Sequence, residues 1–374
     1  MKLIQIHNIL IKKDGIGNTI RTTQGINESL NINNRIAVEL FSEYEDVYEF
    51  AIYDYFKLNF YKMFKKFLFV ENKYKYTKIF IDALQRYKKN VAKTSIENAD
   101  IRMWHFGSTY ELFNFIHYKD IVYYHNITFP YLVNNTKSMI ESRLQLISLK
   151  DMNLFFITQS NFNKECLIRM GFEEENIAVT TPYHKKNISK ITTKTINKPK
   201  LLSYGRYSNG KGFPELAKLC NESNLYLTTF GDNYSVNEYK NNYKKTKNYE
   251  SDKIKVMGKV PEIDMYLNNS DIFVLNSYHE GASLPSVEAE AYGLPLLLKR
   301  GTALDELIVD GTKRNGYLFD DVSEIPELVE KIKKDYNKFR YNARMHSKNY
   351  SLDKYKKSYS EALIKYKNWK KSSN

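Results

Sequence analysis

The stretch Tyr278-His279-Glu280-Gly281-Ala282-Ser283-Leu284-Pro285-Ser286-Val287-Glu288-Ala289-Glu290-Ala291-Tyr292-Gly293-Leu294-Pro295 sets two carboxylates, Glu280 and Glu288, eight residues apart. Residues 271–276 before it form a short apolar run of the kind buried on both faces of a parallel sheet, and residues 294–298 after it read as another. The segment between two such strands is a crossover helix, with Pro285 suited to its first turn and Gly293 to its end. Glu280 then lies on the loop at the carboxyl end of the first strand, and Glu288 about one turn into the helix. Between them the helix N-terminus offers backbone amides and roughly half a unit of positive charge. An anion site flanked by two hydroxyl acceptors results, and a diphosphate carrying two sugars fits it. One carboxylate can take a ribose, the amides can take phosphate oxygens, and the other carboxylate can hold a second sugar. An amphipathic helix with solvated glutamates is the alternative.

With Glu-Gly, Leu-Pro-Ser, Glu-Ala and Gly-Leu-Pro at these offsets, the stretch resembles the Glu-x7-Glu signature of the retaining nucleotide-sugar glycosyltransferases of family 4. That resemblance implies the GT-B fold, two Rossmann-like α/β domains facing a cleft. It also implies that Glu280 orients the transferred sugar, that Glu288 binds the ribose, and that Ala282, Ser283 and Leu284 line the donor site.

Upstream, Leu201-Leu202-Ser203-Tyr204-Gly205-Arg206-Tyr207-Ser208-Asn209-Gly210-Lys211-Gly212-Phe213 reads as a strand, a glycine-rich loop and a helix start. Arg206 can grip phosphate oxygens in a planar fork, and Lys211 supplies a mobile point charge. The pair resembles the family's Gly-Arg and Lys-Gly residues, which hold the donor diphosphate and stabilise it as it leaves; a helix-capping turn with solvated cations would look similar. Phe230-Gly231-Asp232 and Val256-Met257-Gly258-Lys259-Val260-Pro261 end two further strands. By resemblance the backbone at Lys259 and Val260 contacts the nucleobase.

In the first half, Lys13-Asp14-Gly15-Ile16-Gly17-Asn18-Thr19 follows the first strand as a loop in which Gly15 and Gly17 allow close approach to phosphate or sugar. It matches the family's first loop, although many members have adjacent glycines where this chain has Gly-Ile-Gly. His125 ends a strand in Tyr123-Tyr124-His125-Asn126, where family members place an imidazole near the donor sugar, which makes it the first-domain catalytic candidate. Ser160, in a stretch resembling the family's Ser-x-x-Ser/Asn-Lys helix entry, reads as a cap.

These residues need a scaffold, and 374 residues with 42% apolar content suffice for two cores. Strand-like runs alternate with helical patterns, the signal of doubly wound parallel sheets. They are expected at 2–10, 49–55, 100–106, 120–126, 153–159 and 176–181, then at 200–205, 225–230, 253–257, 271–276 and 294–299. The polar stretch 185–199 reads as a linker. The expected division is 1–190 for an acceptor-side domain, 191–350 for a nucleotide-sugar domain, and 351–374 for a helix returning to the first domain.

No apolar run approaches the roughly 20 residues that cross a bilayer, and the N-terminus suits a strand better than a signal peptide, so the cytoplasm is the expected compartment. Cys166 and Cys220 belong to no ligand cluster and read as plain buried thiols. The net charge of +14 points either to an anionic partner or to an AT-rich coding sequence that enriches lysine. Residues 61–69 mix cations with aromatics and suit either an anionic leaflet near a glycan or lipid-linked acceptor, or a core-facing helix with snorkelling lysines. No nucleic-acid motif accompanies the charge.

The chemistry expected is transfer of a hexosyl unit from a nucleotide-diphosphate sugar to a glycan, lipid-linked or other hydroxyl acceptor. It proceeds without a cofactor or metal, because Arg206, Lys211 and the helix N-terminus can carry the leaving-group charge and the chain has no Asp-x-Asp motif. Retention of anomeric configuration is implied by the resemblance alone. Cell-surface polysaccharide or glycoconjugate synthesis is the expected setting. A sugar phosphorylase, a nucleotide-sugar epimerase or a non-enzymatic scaffold of the same fold are the alternatives. The sequence does not name base, sugar, linkage or oligomeric state.

Overall fold

The computed structural model describes residues 2–10, 15–42, 48–49, 99–106, 119–125, 150–186, 193–234 and 237–372. The chain divides into two compact units. The first comprises residues 1–159, 163–180 and 356–374, and the second residues 160–162 and 181–355, against a sequence-read boundary at 190. The proposed membrane segment 61–69 lies outside the described residues, as does 187–192 of the linker.

Among the described residues the first unit has seven parallel strands, β1 (Lys2–Leu10), β2 (Asn33–Ser42), β3 (Tyr48–Glu49), β4 (Ile101–Phe106), β5 (Ile121–Tyr124), β6 (Phe155–Thr158) and β7 (Ile177–Val179), in the order β3-β2-β1-β4-β5-β6-β7. Helix α1 (Gly15–Ser29) follows β1, and α2 (Asn161–Arg169) follows β6. The order reverses between β1 and β4, the kind of switch point at which open α/β sheets hold ligands.

The second unit repeats the plan with β8 (Lys200–Tyr204), β9 (Tyr226–Phe230), β10 (Ile254–Val256), β11 (Ile272–Leu275), β12 (Leu296–Lys299) and β13 (Gly316–Phe319). All pair in parallel in the order β10-β9-β8-β11-β12-β13, with the reversal between β8 and β11. Alternate residues feed two cores. Leu201, Leu227, Ile254, Ile272, Val274 and Leu297 point to one face, and Leu202, Phe230, Phe273, Leu275, Leu296 and Leu298 to the other. A sheet covered on both faces needs such continuous apolar strands. Helices α3 (Phe213–Glu222), α4 (Asn237–Lys247), α5 (Asp264–Asn269), α6 (Leu284–Ala291), α7 (Ile325–Lys334) and α8 (Tyr336–Ser347) complete the unit.

Helix α9 (Leu352–Ser372) begins in the second unit, and from Lys356 onward it belongs to the first. There Tyr359 hydrogen-bonds Asn27, the Tyr366 hydroxyl donates to the Lys119 carbonyl at 3.0 Å, and Trp369 lies against Phe155. No described helix is long and apolar enough to cross a membrane. Cys166 and Cys220 are buried and unpaired with each other, and burial pushes both thiols up to about 12.

Candidate active site

The strongest constellation stands at the carboxyl edge of the second sheet, where β8 and β11 diverge. After Tyr204 the chain turns through Gly205 into a short 3-10 turn, Asn209–Lys211, and Gly212 caps α3 in the left-handed region at φ 58°. A side chain at Gly212 would collide with Asn276 at the end of β11, so the glycine lets the two loops close on each other. They are stitched together by Tyr278 N–H donating to the Gly210 carbonyl at 2.8 Å and by Ser277 Oγ donating to the same oxygen at 3.2 Å.

Within this frame Lys211 Nζ forms an ion pair with Glu280 Oε1, both side chains mostly buried. The residues expected to serve as leaving-group cation and as sugar-orienting carboxylate are thus in direct contact. Gly281, Ala282 and Ser283 lead from Glu280 into α6. Ser283 caps that helix, its Oγ accepting from Ser286 N–H at 3.3 Å and sharing a 2.7 Å hydrogen bond with Ser286 Oγ. Leu284 and Pro285 form the first turn, as expected. Ser160, rather than acting simply as a cap, donates from Oγ to the Gly281 carbonyl at 2.7 Å.

Glu288 lies one turn further on and is held by a residue that the sequence did not single out. The Tyr204 hydroxyl, at the end of β8, donates to Glu288 Oε2 at 2.8 Å, while its ring stacks on Phe230 with centroids 4.8 Å apart. Burial raises the Glu288 carboxyl above its ordinary value, opposed by the Tyr204 hydrogen bond and by Lys186. Burial, then the Glu288 charge, raises the Tyr204 hydroxyl well above its own. Lys186 is paired with Asp264, which it holds below the usual carboxylate range.

Arg206 is exposed and turned toward Tyr239 of α4, whose hydroxyl it pulls down against a larger upward push from burial. Lys259 is also exposed, while Val260 packs against the second core, leaving its backbone as the part that can meet a ligand. Next to it stands Asn233, which the sequence also did not flag. It is 1% exposed, neither amide atom has a hydrogen-bond partner among the described residues, and both lie beside Gly258. Loops carrying Lys259, Asn233, Lys211 and Glu280 thus follow adjacent strands β10, β9, β8 and β11. That row spans about 14 Å at strand spacing, room for an extended ligand.

A further carboxylate, Glu290, is wholly buried on the other side of α6. His346 Nδ1 lies 3.0 and 3.1 Å from its oxygens, and Asn315 Nδ2 donates to Oε1 and to the Leu307 carbonyl. Burial raises Glu290, and His346 opposes the rise. It braces α6 and is not directed at the row of loops.

In the first unit, Gly15 and Gly17 lie inside the first turn of α1, which begins at Gly15, and not in a loop as expected. His125 is 7% exposed and immediately follows β5. Its Nε2 is 2.9 Å from His105 Nδ1, and its ring stacks on Tyr123 with centroids 4.6 Å apart. No cluster of potential metal ligands occurs among the described residues.

Comparison with known proteins agrees with this architecture. A curated Klebsiella pneumoniae relative, described as an uncharacterized 41.2 kDa protein in the cps region, is 24% identical over 235 residues, covering 59% of this chain. The chain spans 63% of that relative's length. Among solved structures, the Anabaena protein HepE in complex with UDP superposes with a TM-score of 0.70 at 15% identity, covering 97% of this chain and 100% of its own. Sucrose-phosphate synthase from Thermosynechococcus elongatus gives 0.69 at 11% identity, covering 97% and 98%. Residues 184–351 match the family described as glycosyl transferases group 1, and the two Rossmann-like units have the fold of GT-B glycosyltransferases.

Proposed function

We propose that the protein transfers a hexosyl unit, with retention and without a metal, from a nucleotide-diphosphate sugar to a hydroxyl acceptor in cell-surface polysaccharide or glycoconjugate synthesis. The observation that carries this is the Lys211–Glu280 ion pair at the mouth of α6, with Glu288 fixed one turn beyond by Tyr204. Glu288 takes the ribose hydroxyls as an acceptor. The nucleobase lies against the Gly258–Val260 backbone, and Asn233 is the side chain nearest to that segment that still lacks partners.

Lys211 and the α6 amides receive the diphosphate, with Arg206 swinging in from its exposed position. As the anomeric C–O bond breaks, the electron pair passes to a phosphate oxygen that these fixed positive groups stabilise. The acceptor hydroxyl bonds to the same face of the anomeric carbon and gives its proton to the departing phosphate. Glu280 orients the transferred sugar once the diphosphate draws Lys211 away from it. The group 1 match of the second unit and the cps-region relative support this setting.

A thermal-shift panel of UDP, GDP, ADP, dTDP and CMP without metal, run on the wild type and Glu288→Ala, tests the reading. One diphosphate at about 100 times its Kd should add roughly 2.7 kcal/mol of stability, lost in the variant. No stabilisation by any of them would sink the transferase reading in favour of a scaffold.

A further inference from the structure

At the carboxyl ends of β9 and β10 the second unit holds a side-chain amide that the fold leaves unanswered. β9 ends at Phe230, and Gly231 and Asp232 carry the chain to Asn233, whose side chain lies against Gly258 just past β10. Asn233 is 1% exposed, and neither Nδ2 nor Oδ1 has a hydrogen-bond partner among the described residues. An amide buried in that condition has given up its bonds to water without replacing them. For packing alone, a leucine of similar size would serve better, having no polar atoms to satisfy.

The backbone on either side of the amide is held in place. Gly231 N–H donates to the Gly258 carbonyl at 3.2 Å, Met257 N–H to the Thr229 carbonyl at 2.8 Å, and Tyr207 N–H to the Asp232 carbonyl at 3.0 Å. The Tyr207 hydroxyl donates to the Met257 carbonyl at 2.9 Å. Asn233 is therefore presented from a stitched pair of strand ends and is not the by-product of a loose loop.

A Cβ at Gly258 would stand 3.2 Å from both atoms of the Asn233 amide and 3.4 Å from the Tyr234 hydroxyl. Amide and phenol tip thus converge on one spot, above a residue that has no side chain to fill it. Tyr234 is 58% exposed, and its N–H donates to Asp232 Oδ1 at 3.0 Å, which anchors the backbone and leaves the ring to swing. Beyond Gly258, the peptide N–H groups of Lys259 and Val260 donate to no carbonyl among the described residues.

We infer that Asn233 is a specificity-determining residue whose amide hydrogen-bonds the edge of the nucleobase, donor to acceptor and acceptor to donor, once the base displaces the Tyr234 phenol from Gly258. That a base lies there rests on the nucleotide-sugar donor proposed above. The ligand chemistry required is an edge with one donor beside one acceptor, which an amide answers with two bonds. Because the amide is already stripped of water, a base that meets it badly leaves a buried polar atom unpaired and is refused.

The test is metal-free titration calorimetry of UDP, CDP, GDP, ADP, dTDP and inorganic pyrophosphate on the wild type and Asn233→Leu, with a thermal melt of each protein alone. The wild type should bind one nucleotide at least about 10-fold tighter than the others, and the variant should lose about 10- to 100-fold for that nucleotide. Pyrophosphate, which has no base, should stay within about 2-fold. The melting temperature of the variant alone should be equal or higher, since an unsatisfied amide has been removed. An unchanged nucleotide affinity, or an equal loss for pyrophosphate, overturns the inference. So does a lower melting temperature with binding intact, the result expected of an amide that bonds a buried water for structure. If Asn233→Leu does not fold, Asn233→Ala is held to the same binding criteria. A wild type that binds no nucleotide overturns the proposed function and the base reading together, whereas nucleotide binding indifferent to Asn233 overturns the base reading alone.

Discussion

Glu288 sits where burial favours its neutral form, yet the ribose-binding role proposed for it needs the carboxylate as an acceptor. Because the folded-state value is raised above the unfolded one, the folded protein holds a proton that the unfolded chain has already released. Stability without nucleotide therefore falls as pH rises from the ordinary carboxylate value through the raised one. Glu290 adds a slope of the same sign, so Glu288→Gln should reduce this dependence without removing it. Nucleotide affinity runs the other way and strengthens as pH climbs through the raised value. Titration calorimetry between about pH 5 and 8 checks this, and a flat Kd would show that Glu288 does not bind as the anion. Tyr204→Phe removes the hydroxyl that holds the carboxylate and should cost about 1.5–3 kcal/mol of nucleotide binding, as expected for a hydrogen bond to a charged group. An affinity equal to wild type by the same calorimetry would detach Tyr204 from the site.

At the scale of elements, α6 is eight residues long and carries both glutamates of its Glu-Ala-Glu on different sides. Two residues along a helix turn by about 200°, so Glu288 meets Tyr204 while Glu290 enters the core against His346 and Asn315. Asn315→Ala would leave Glu290 and the Leu307 carbonyl without their shared donor, and the loss should be about 1–3 kcal/mol. Chemical denaturation followed by far-UV dichroism measures it; no loss would mean that the brace is dispensable. The Glu280 and Lys211 positions were legible because loop ends after apolar strands are legible. The strands were read from short runs such as Ile272–Leu275, whose two faces are both buried. β2 was not read, since Arg35 and Glu39 interrupt its apolar pattern, and β13, four residues at a sheet edge, gave too short a signal. Tyr204 and Asn233 were illegible for another reason. What stands beside them is brought near by sheet order and not by sequence spacing, as Tyr204 and Glu288 lie 84 residues apart. The loop expected at Gly15 and Gly17 became a helix turn because local glycine content does not record where a crossover helix begins.

Across the whole molecule, both tryptophans, Trp104 and Trp369, belong to the first unit. Indole fluorescence during unfolding thus reports that unit, while the nucleotide stabilisation proposed for the second would report that one. Tyr366, on the buried face of α9, is 1% exposed and edges onto Phe155 at 5.4 Å. Tyr366→Ala should cost about 3–5 kcal/mol and lower the fluorescence-detected midpoint. The nucleotide-induced shift of the second unit should survive; its disappearance would tie the two stabilities together.

The return of α9 sets the order in which the chain can be finished during synthesis. Residues 1–159 emerge from the ribosome before 181–355, but residues 356–374, which pack on them at Asn27, Lys119 and Phe155, are made after all of 181–355. Domains ordinarily complete themselves in the order they are translated. Here the unit begun first is completed last, and until then its nascent apolar surface is left for chaperones to shield.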